Sequence, residues 1–166
     1  MKPEAVKAIV DGIQEVGVNF IALLPDAEFA PVQAEILKVP GIKCVLVSSE
    51  STGVSVCAGA WLGGKIPALL VPTSGLLVAA WPLAATCMAF GIPMVILIPF
   101  RGDMGDGSWV MRTYQYTTKP TLEMLQIPYS VVSKIEEVKP ALLAARKSAA
   151  GWLHPACLLL TGEVLW

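Results

Sequence analysis

Strands that alternate with helices along the chain predict an α/β fold: a doubly wound, mostly parallel six-stranded sheet with helices on both faces. Two observations carry that expectation. Short apolar runs of strand length, such as Phe20–Leu24 and Pro93–Pro99, alternate with stretches whose apolar residues recur at helical spacing. No linker, internal repeat or low-complexity segment interrupts the 166 residues, so one domain over 1–166 is expected, long enough for a substantial core.

In chain order, Ala5, Ile9, Val10, Ile13 and Val16 mark a first helix that Gly17 is placed to end. Phe20–Leu24 is the first buried strand, closed by Pro25-Asp26. Phe29, Val32, Ile36 and Leu37 then form one face of a second helix. Pro40-Gly41 turns the chain into a strand over Lys43–Ser48, whose Val45-Leu46-Val47 has the branching of a buried strand. The small residues Gly53, Ser55, Cys57, Ala58, Gly59 and Ala60 suit a closely packed helix, which Gly63-Gly64 breaks before a strand over Pro67–Pro72. Val78–Phe90 is a charge-free helix. Because a sheet hides only one side of a helix, its apolar remainder points to a subunit interface. Pro93–Pro99 is the fourth strand, Trp109–Thr118 a loop and Pro120–Leu125 a short helix. Tyr129–Val132 is the fifth strand, Ile135–Ala150 a long helix with a capping pattern at Ser133–Glu136, and Pro155–Thr161 the last strand.

Composition narrows the function. Hydrophobic residues make up 55% of the chain and its mean hydropathy is +0.65, more apolar than a solitary soluble domain usually is. A net charge of −1 without a Lys/Arg block gives no footprint for nucleic acid. Ile66–Phe100 carries no charge, but Pro67, Pro72, Pro82, Pro93 and Pro99 cut it into pieces shorter than the roughly 20 apolar residues of a membrane span. The N-terminus carries early acids and lacks a secretory apolar region, so a cytoplasmic protein is expected. Cys44, Cys57, Cys87 and Cys157 are scattered in apolar settings and read as buried free thiols. The only histidine, His154, precedes a proline and reads as a surface or structural residue. No GxSxG elbow, GxGxxG cradle or metal-ligand spacing is present.

Glu50 lies where the second strand gives way to the small-residue helix, and Thr73-Ser74-Gly75 follows the third strand. Ligands bind at the carboxyl ends of strands in open α/β sheets, which makes Glu50 a candidate reagent and the Thr-Ser-Gly turn a candidate contact. The helix macrodipole alone also favours an acid in a first turn, and Thr-Ser-Gly is an ordinary turn sequence.

Glu50 followed nine residues later by Gly59 resembles the glutamate-bearing helix of the pyrimidine-binding (PYR) domain of thiamine-diphosphate enzymes. The likeness is to the α subunit, or N-terminal half, of sulfopyruvate and phosphonopyruvate decarboxylases. It continues through Leu24-Pro25-Asp26, the run Cys57–Ala68, Thr73-Ser74-Gly75 and Phe100-Arg101-Gly102. The resemblance implies a thiamine-diphosphate-binding fold of PYR type and a 2-oxo acid decarboxylase. Glu50 would be the catalytic residue that activates the aminopyrimidine, with Pro25, Thr73, Ser74 and Gly75 around the cofactor. It also implies that the diphosphate and Mg²⁺ are held by a partner chain with a PP domain, the β subunit. An α₂β₂ hetero-oligomer would be the smallest functional assembly, and self-association, as in a homodimer, is open to the chain alone. Gly105-Asp106-Gly107 matches the opening of the family's metal motif, but that motif needs a downstream Asn pair and the only Asn here is Asn19, so the segment reads as a flexible turn.

Departures bear on the substrate. Where the relatives tend to carry a QNSGLGN-like loop, this chain has Pro72–Val78. Thr52 stands for a second acid, Asp26-Ala27 for Asp-Ser, and the usual His beyond Arg101 is missing. Arg101, and after it Arg112 or Lys119, is the candidate for binding a sulfonate, phosphonate or carboxylate. A salt bridge is the competing role for Arg101, and a less polar 2-oxo acid the competing substrate. A non-catalytic interaction or regulatory subunit is the alternative from another class.

Overall fold

The computed structural model describes residues 1–166. Helices α1 (Pro3–Glu15), α2 (Ala30–Ile36), α3 (Glu50–Leu62), α4 (Gly75–Pro82), α5 (Arg112–Met124) and α6 (Val138–Trp152) alternate with strands β1 (Phe20–Leu23), β2 (Lys43–Leu46), β3 (Pro67–Leu70), β4 (Val95–Pro99), β5 (Tyr129–Val132) and β6 (Ala156–Leu160). The six strands form one sheet in the order β2-β1-β3-β4-β6-β5, and every pairing is parallel.

Alternation along each strand divides the core in two. Ile21 and Leu23, Ala68 and Leu70, and Val95 and Leu97 pack with α1, α2 and α6 on one face. Ala22, Leu69, Ile96 and Ile98 pack with α3, α4 and α5 on the other. The sheet is therefore covered on both faces, as parallel sheets require. From β1 the chain runs outward to β2 through α2, whereas from β3 it runs the other way to β4 through α4. The carboxyl ends of β1 and β3 consequently flank the point where the strand order reverses, the place where open α/β sheets present a ligand crevice.

Several sequence expectations are corrected. The Val45-Leu46-Val47 run is no interior strand: β2 is an edge strand, Leu46 is 61% exposed, and only Val47 beyond its end is buried. Leu37 leaves the inner face of α2 because the helix ends at Ile36, while Phe29, Val32 and Ile36 stay buried. The charge-free helix begins at Gly75, earlier than its apolar pattern suggests, and passes after Pro82 into a wider π-helical turn, Leu83–Met88. Proline supplies no N–H for the carbonyl four residues back, here Val78. That carbonyl accepts from the Ser51 hydroxyl of α3 at 2.7 Å instead.

The expected loop over Trp109–Thr118 is a 3-10 turn, Trp109–Met111, leading into the full length of α5. This helix buries Thr118, Thr121 and Leu122 and keeps Pro120 within it, at an exposed position. The cap of the last helix is shifted by one residue. Glu137, not Glu136, accepts from the backbone N–H groups of Ser133 and Lys134, at 3.2 Å each, and a 3-10 turn precedes α6. No helix is long and apolar enough to cross a membrane.

The small residues of α3 let it sit tightly on the sheet. A Cβ at Gly53 would lie 2.8 Å from Cδ1 of Leu69 and 3.4 Å from Cγ2 of Val47. Gly53→Val should therefore overpack this contact and lower stability by about 2–3 kcal/mol in urea unfolding.

Candidate functional site

The two loops at the switch point are pinned by side chains. After β1, Asp26 Oδ1 accepts from the N–H groups of Glu28 and Phe29 at 3.0 and 2.9 Å, and Gln33 Nε2 donates to the Leu24 carbonyl at 2.7 Å. After β3, the buried Thr73 hydroxyl donates to the Pro99 carbonyl and accepts from Arg101 N–H at 3.1 Å, joining the ends of β3 and β4. Between the loops lies a cavity of about 170 Å³ lined by Asp26, Ala27, Glu28, Pro72, Thr73, Ser74, Pro99, Arg101, Met111 and Tyr114.

Glu50 lies outside this lining, against Gly75. Ser49 caps α3 by accepting from Ser51 N–H at 3.3 Å, and this fixes Glu50 as the first helical residue. Its side chain lies against the backbone at the start of α4. A Cβ on Gly75 would fall 2.6 Å from the Glu50 carboxyl carbon and closer still to Oε1 and Cγ. Only a residue without a Cβ leaves room for the carboxyl here. Glu50 is 8% exposed, yet its carboxyl has no hydrogen bond or ion pair within the chain. Its oxygens still reach solvent, unlike the sealed and unpartnered Thr118 Oγ1, Arg146 Nε and Thr161 Oγ1, so the carboxyl is open to a ligand from outside the chain. The Ser51 hydroxyl, bonded to the Val78 carbonyl, holds the starts of α3 and α4 together beside it.

Arg101, the third feature, has a hydrogen bond on each of its three side-chain nitrogens. Its Nη1 donates to Glu28, Nε and Nη2 donate to Asp106 at 2.7 and 3.2 Å, and its guanidinium lies 5.7 Å from the Trp166 ring centroid. The salt-bridge role weighed for this residue is the one its contacts display. Asp106 also accepts from Gly102 N–H at 2.9 Å and Ser108 N–H at 3.0 Å, so the Gly105-Asp106-Gly107 turn is a tethered one. The hydrogen bond from Arg101 holds the Asp106 carboxyl well below the usual carboxylate range, against the opposing effect of burial. Asp106 in turn raises the pKa of the Arg101 guanidinium.

Thr73, Ser74 and Arg101 thus share one crevice, Gly75 meets Glu50 behind it, and Pro25 is exposed outside the lining. Arg112 lies 5.9 Å from the Tyr116 ring and Lys119 5.3 Å from Phe100, so neither joins the crevice lining. His154 is half-buried, its Nδ1 3.0 Å from the Pro155 carbonyl. All four cysteines are free. Burial raises the Cys57 and Cys87 thiols to about 12, and Cys44 is only half-buried. Sequence reasoning missed Glu28, Asp106 and Tyr114. The one available signal was Asp106 itself, an Asp flanked by glycines five residues after an arginine.

Two predictions follow from this geometry. Gly75→Ala should expel the Glu50 side chain from its niche in a crystal structure while changing stability by no more than about 1 kcal/mol, since alanine favours the helix. Asp106 has a lower pKa folded than unfolded, so its contribution is complete above about pH 4 and fades as pH falls toward the folded value. Asp106→Asn should cost about 1–2 kcal/mol at pH 7 in urea unfolding, with wild type and variant converging at lower pH.

No family model matches the chain. It is 29% identical over 156 residues to sulfopyruvate decarboxylase subunit alpha of Methanococcus maripaludis, covering 94% of this chain and 93% of that one. It is 27% identical over 142 residues to the same subunit of Methanothermobacter thermautotrophicus, covering 86% of each. Phosphonopyruvate decarboxylase of Streptomyces viridochromogenes is 26% identical over 159 residues, 95% of this chain and 40% of that protein. Among solved structures, a 2-oxoglutarate:ferredoxin oxidoreductase from Magnetococcus marinus matches 98% of this chain and 29% of its own, with a TM-score of 0.73 at 15% identity, a likeness of fold alone. The chain therefore carries an α/β fold of PYR type and, along nearly its whole length, resembles the alpha subunits of sulfopyruvate decarboxylases.

Proposed function

We propose that residues 1–166 form the PYR-domain subunit of a two-chain, thiamine-diphosphate-dependent 2-oxo acid decarboxylase, with Glu50 as its catalytic acid. The observation that carries this reading is the Glu50 side chain, 8% exposed and without an internal hydrogen bond, in a niche that a Cβ at Gly75 would fill. A niche of this kind fits the edge of an aminopyrimidine, whose ring nitrogen would give the carboxyl the hydrogen bond it lacks. The relatives named as decarboxylase alpha subunits support the same assignment.

When bound, thiamine diphosphate supplies the nucleophilic carbon and the electron sink that decarboxylation of a 2-oxo acid requires. Glu50 would hold a proton against the ring nitrogen of the bound cofactor. Thr73, Ser74 and Gly75 at the start of α4 and Pro25 after β1 would help to hold the cofactor. In this reading the diphosphate and Mg²⁺ are held by a PP-domain partner, and the 'subunit alpha' names of the relatives support there being a second chain. The exposed outer face of α4, with Leu77, Val78 and Trp81 (77% exposed), is the surface it would cover.

The test is the Glu50→Gln variant, co-expressed with a PP-domain chain and assayed with thiamine diphosphate, Mg²⁺ and several 2-oxo acids. Turnover should fall by at least about 100-fold while the unfolding midpoint is unchanged. Full turnover in the variant would contradict the role of Glu50, and no cofactor-dependent turnover by the wild type would contradict the enzyme.

A further inference from the structure

Resting on the reading above, we propose that the crevice selects a 2-oxo acid whose side chain carries no negative charge, and rejects one bearing a sulfonate, a phosphonate or a second carboxylate. Arg101 is the only cation in the crevice lining. Three of its five N–H groups already serve carboxylates, Nη1 on Glu28 and Nε and Nη2 on Asp106, and Cζ lies 5.7 Å from the Trp166 ring centroid. The local charge balance is therefore not positive. Within the lining one guanidinium stands against Glu28 and Asp26, which leaves −1, and Asp106, bonded to the same guanidinium from the neighbouring loop, makes it −2.

An anionic side chain entering here would meet Asp26 and Glu28 and would compete for Arg101 with the two carboxylates that already neutralise it. Like charges at short range in a partly dehydrated site repel, and an existing charge-assisted hydrogen bond gives no net gain when one anion replaces another. The two other cations near this end of the sheet are turned elsewhere. Arg112 faces Tyr116 and lines the concavity of the Gly102–Ser108 loop, while Lys119 lies over Phe100. Without internal hydrogen bonds in the lining are the hydroxyls of Ser74 and Tyr114, which suit the substrate's own carboxylate or carbonyl. Ala27, Pro72, Pro99 and Met111 supply apolar wall for a short uncharged side chain.

Titration of the full chain with 2-oxobutanoate and with sulfopyruvate at matched ionic strength, followed by amide NMR shifts, tests this directly. 2-Oxobutanoate should move the Ser74, Arg101 and Tyr114 signals, with sulfopyruvate binding there at least tenfold more weakly. Glu28→Gln, which removes one carboxylate from the fork, should narrow that ratio at least threefold. Equal or tighter binding of sulfopyruvate, a ratio untouched by Glu28→Gln, or no response of these residues to either acid would overturn the proposal. The decarboxylase reading is decided separately, by cofactor dependence of turnover in the assembled complex.

Discussion

The close approach of the Glu50 side chain to the backbone of Gly75 is the constraint on which the rest of the site depends. It requires two helices to begin side by side at the carboxyl ends of β2 and β3, one contributing an acid and the other no side chain at all. The small residues of α3 serve that approach. Gly53 lets the helix lie against Leu69 and Val47, and Ser51 takes the carbonyl that Pro82 frees on α4. Pro82, which reads in sequence as an ordinary interruption, thereby becomes part of the joint that sets the position of Glu50.

The crevice beside this joint is governed by electrostatics of a different kind. Glu50 is left without a partner, whereas Arg101 has two carboxylates and an aromatic ring. A guanidinium so engaged is a structural cation that ties the β1–α2 loop, through Glu28, to the loop after β4, through Asp106. It also leaves the crevice with more acid than base. Around this end of the sheet, Glu50, Ser74 and Tyr114 have side chains without internal hydrogen bonds, beside the paired charges of Arg101, Glu28 and Asp106.

The architecture was legible because parallel strands buried on both faces read as apolar runs, and β1, β3, β4 and β6 all appear as such. The place of Glu50, at the junction of β2 and α3, was legible for a related reason: an acid at the end of a strand in an apolar stretch stands out. The failures have physical causes. The branching of Val45 and Leu46 fits an edge strand as well as an interior one, and periodicity cannot tell the two apart. Helix α5 packs through Thr118 and Thr121, whose hydroxyls hide its inner face from a search for apolar spacing. The partners of Arg101 were hidden because Glu28 lies 73 residues away in sequence, a separation that only the switch-point topology closes.

The most direct measurement is a structure of this chain assembled with a PP-domain partner and thiamine diphosphate. The Glu50 carboxyl should lie about 2.6–3.0 Å from a ring nitrogen of the aminopyrimidine, with Gly75 packed against its other side. A carboxyl facing bulk water, or separated from the ring by the Thr73–Gly75 turn, would contradict the account.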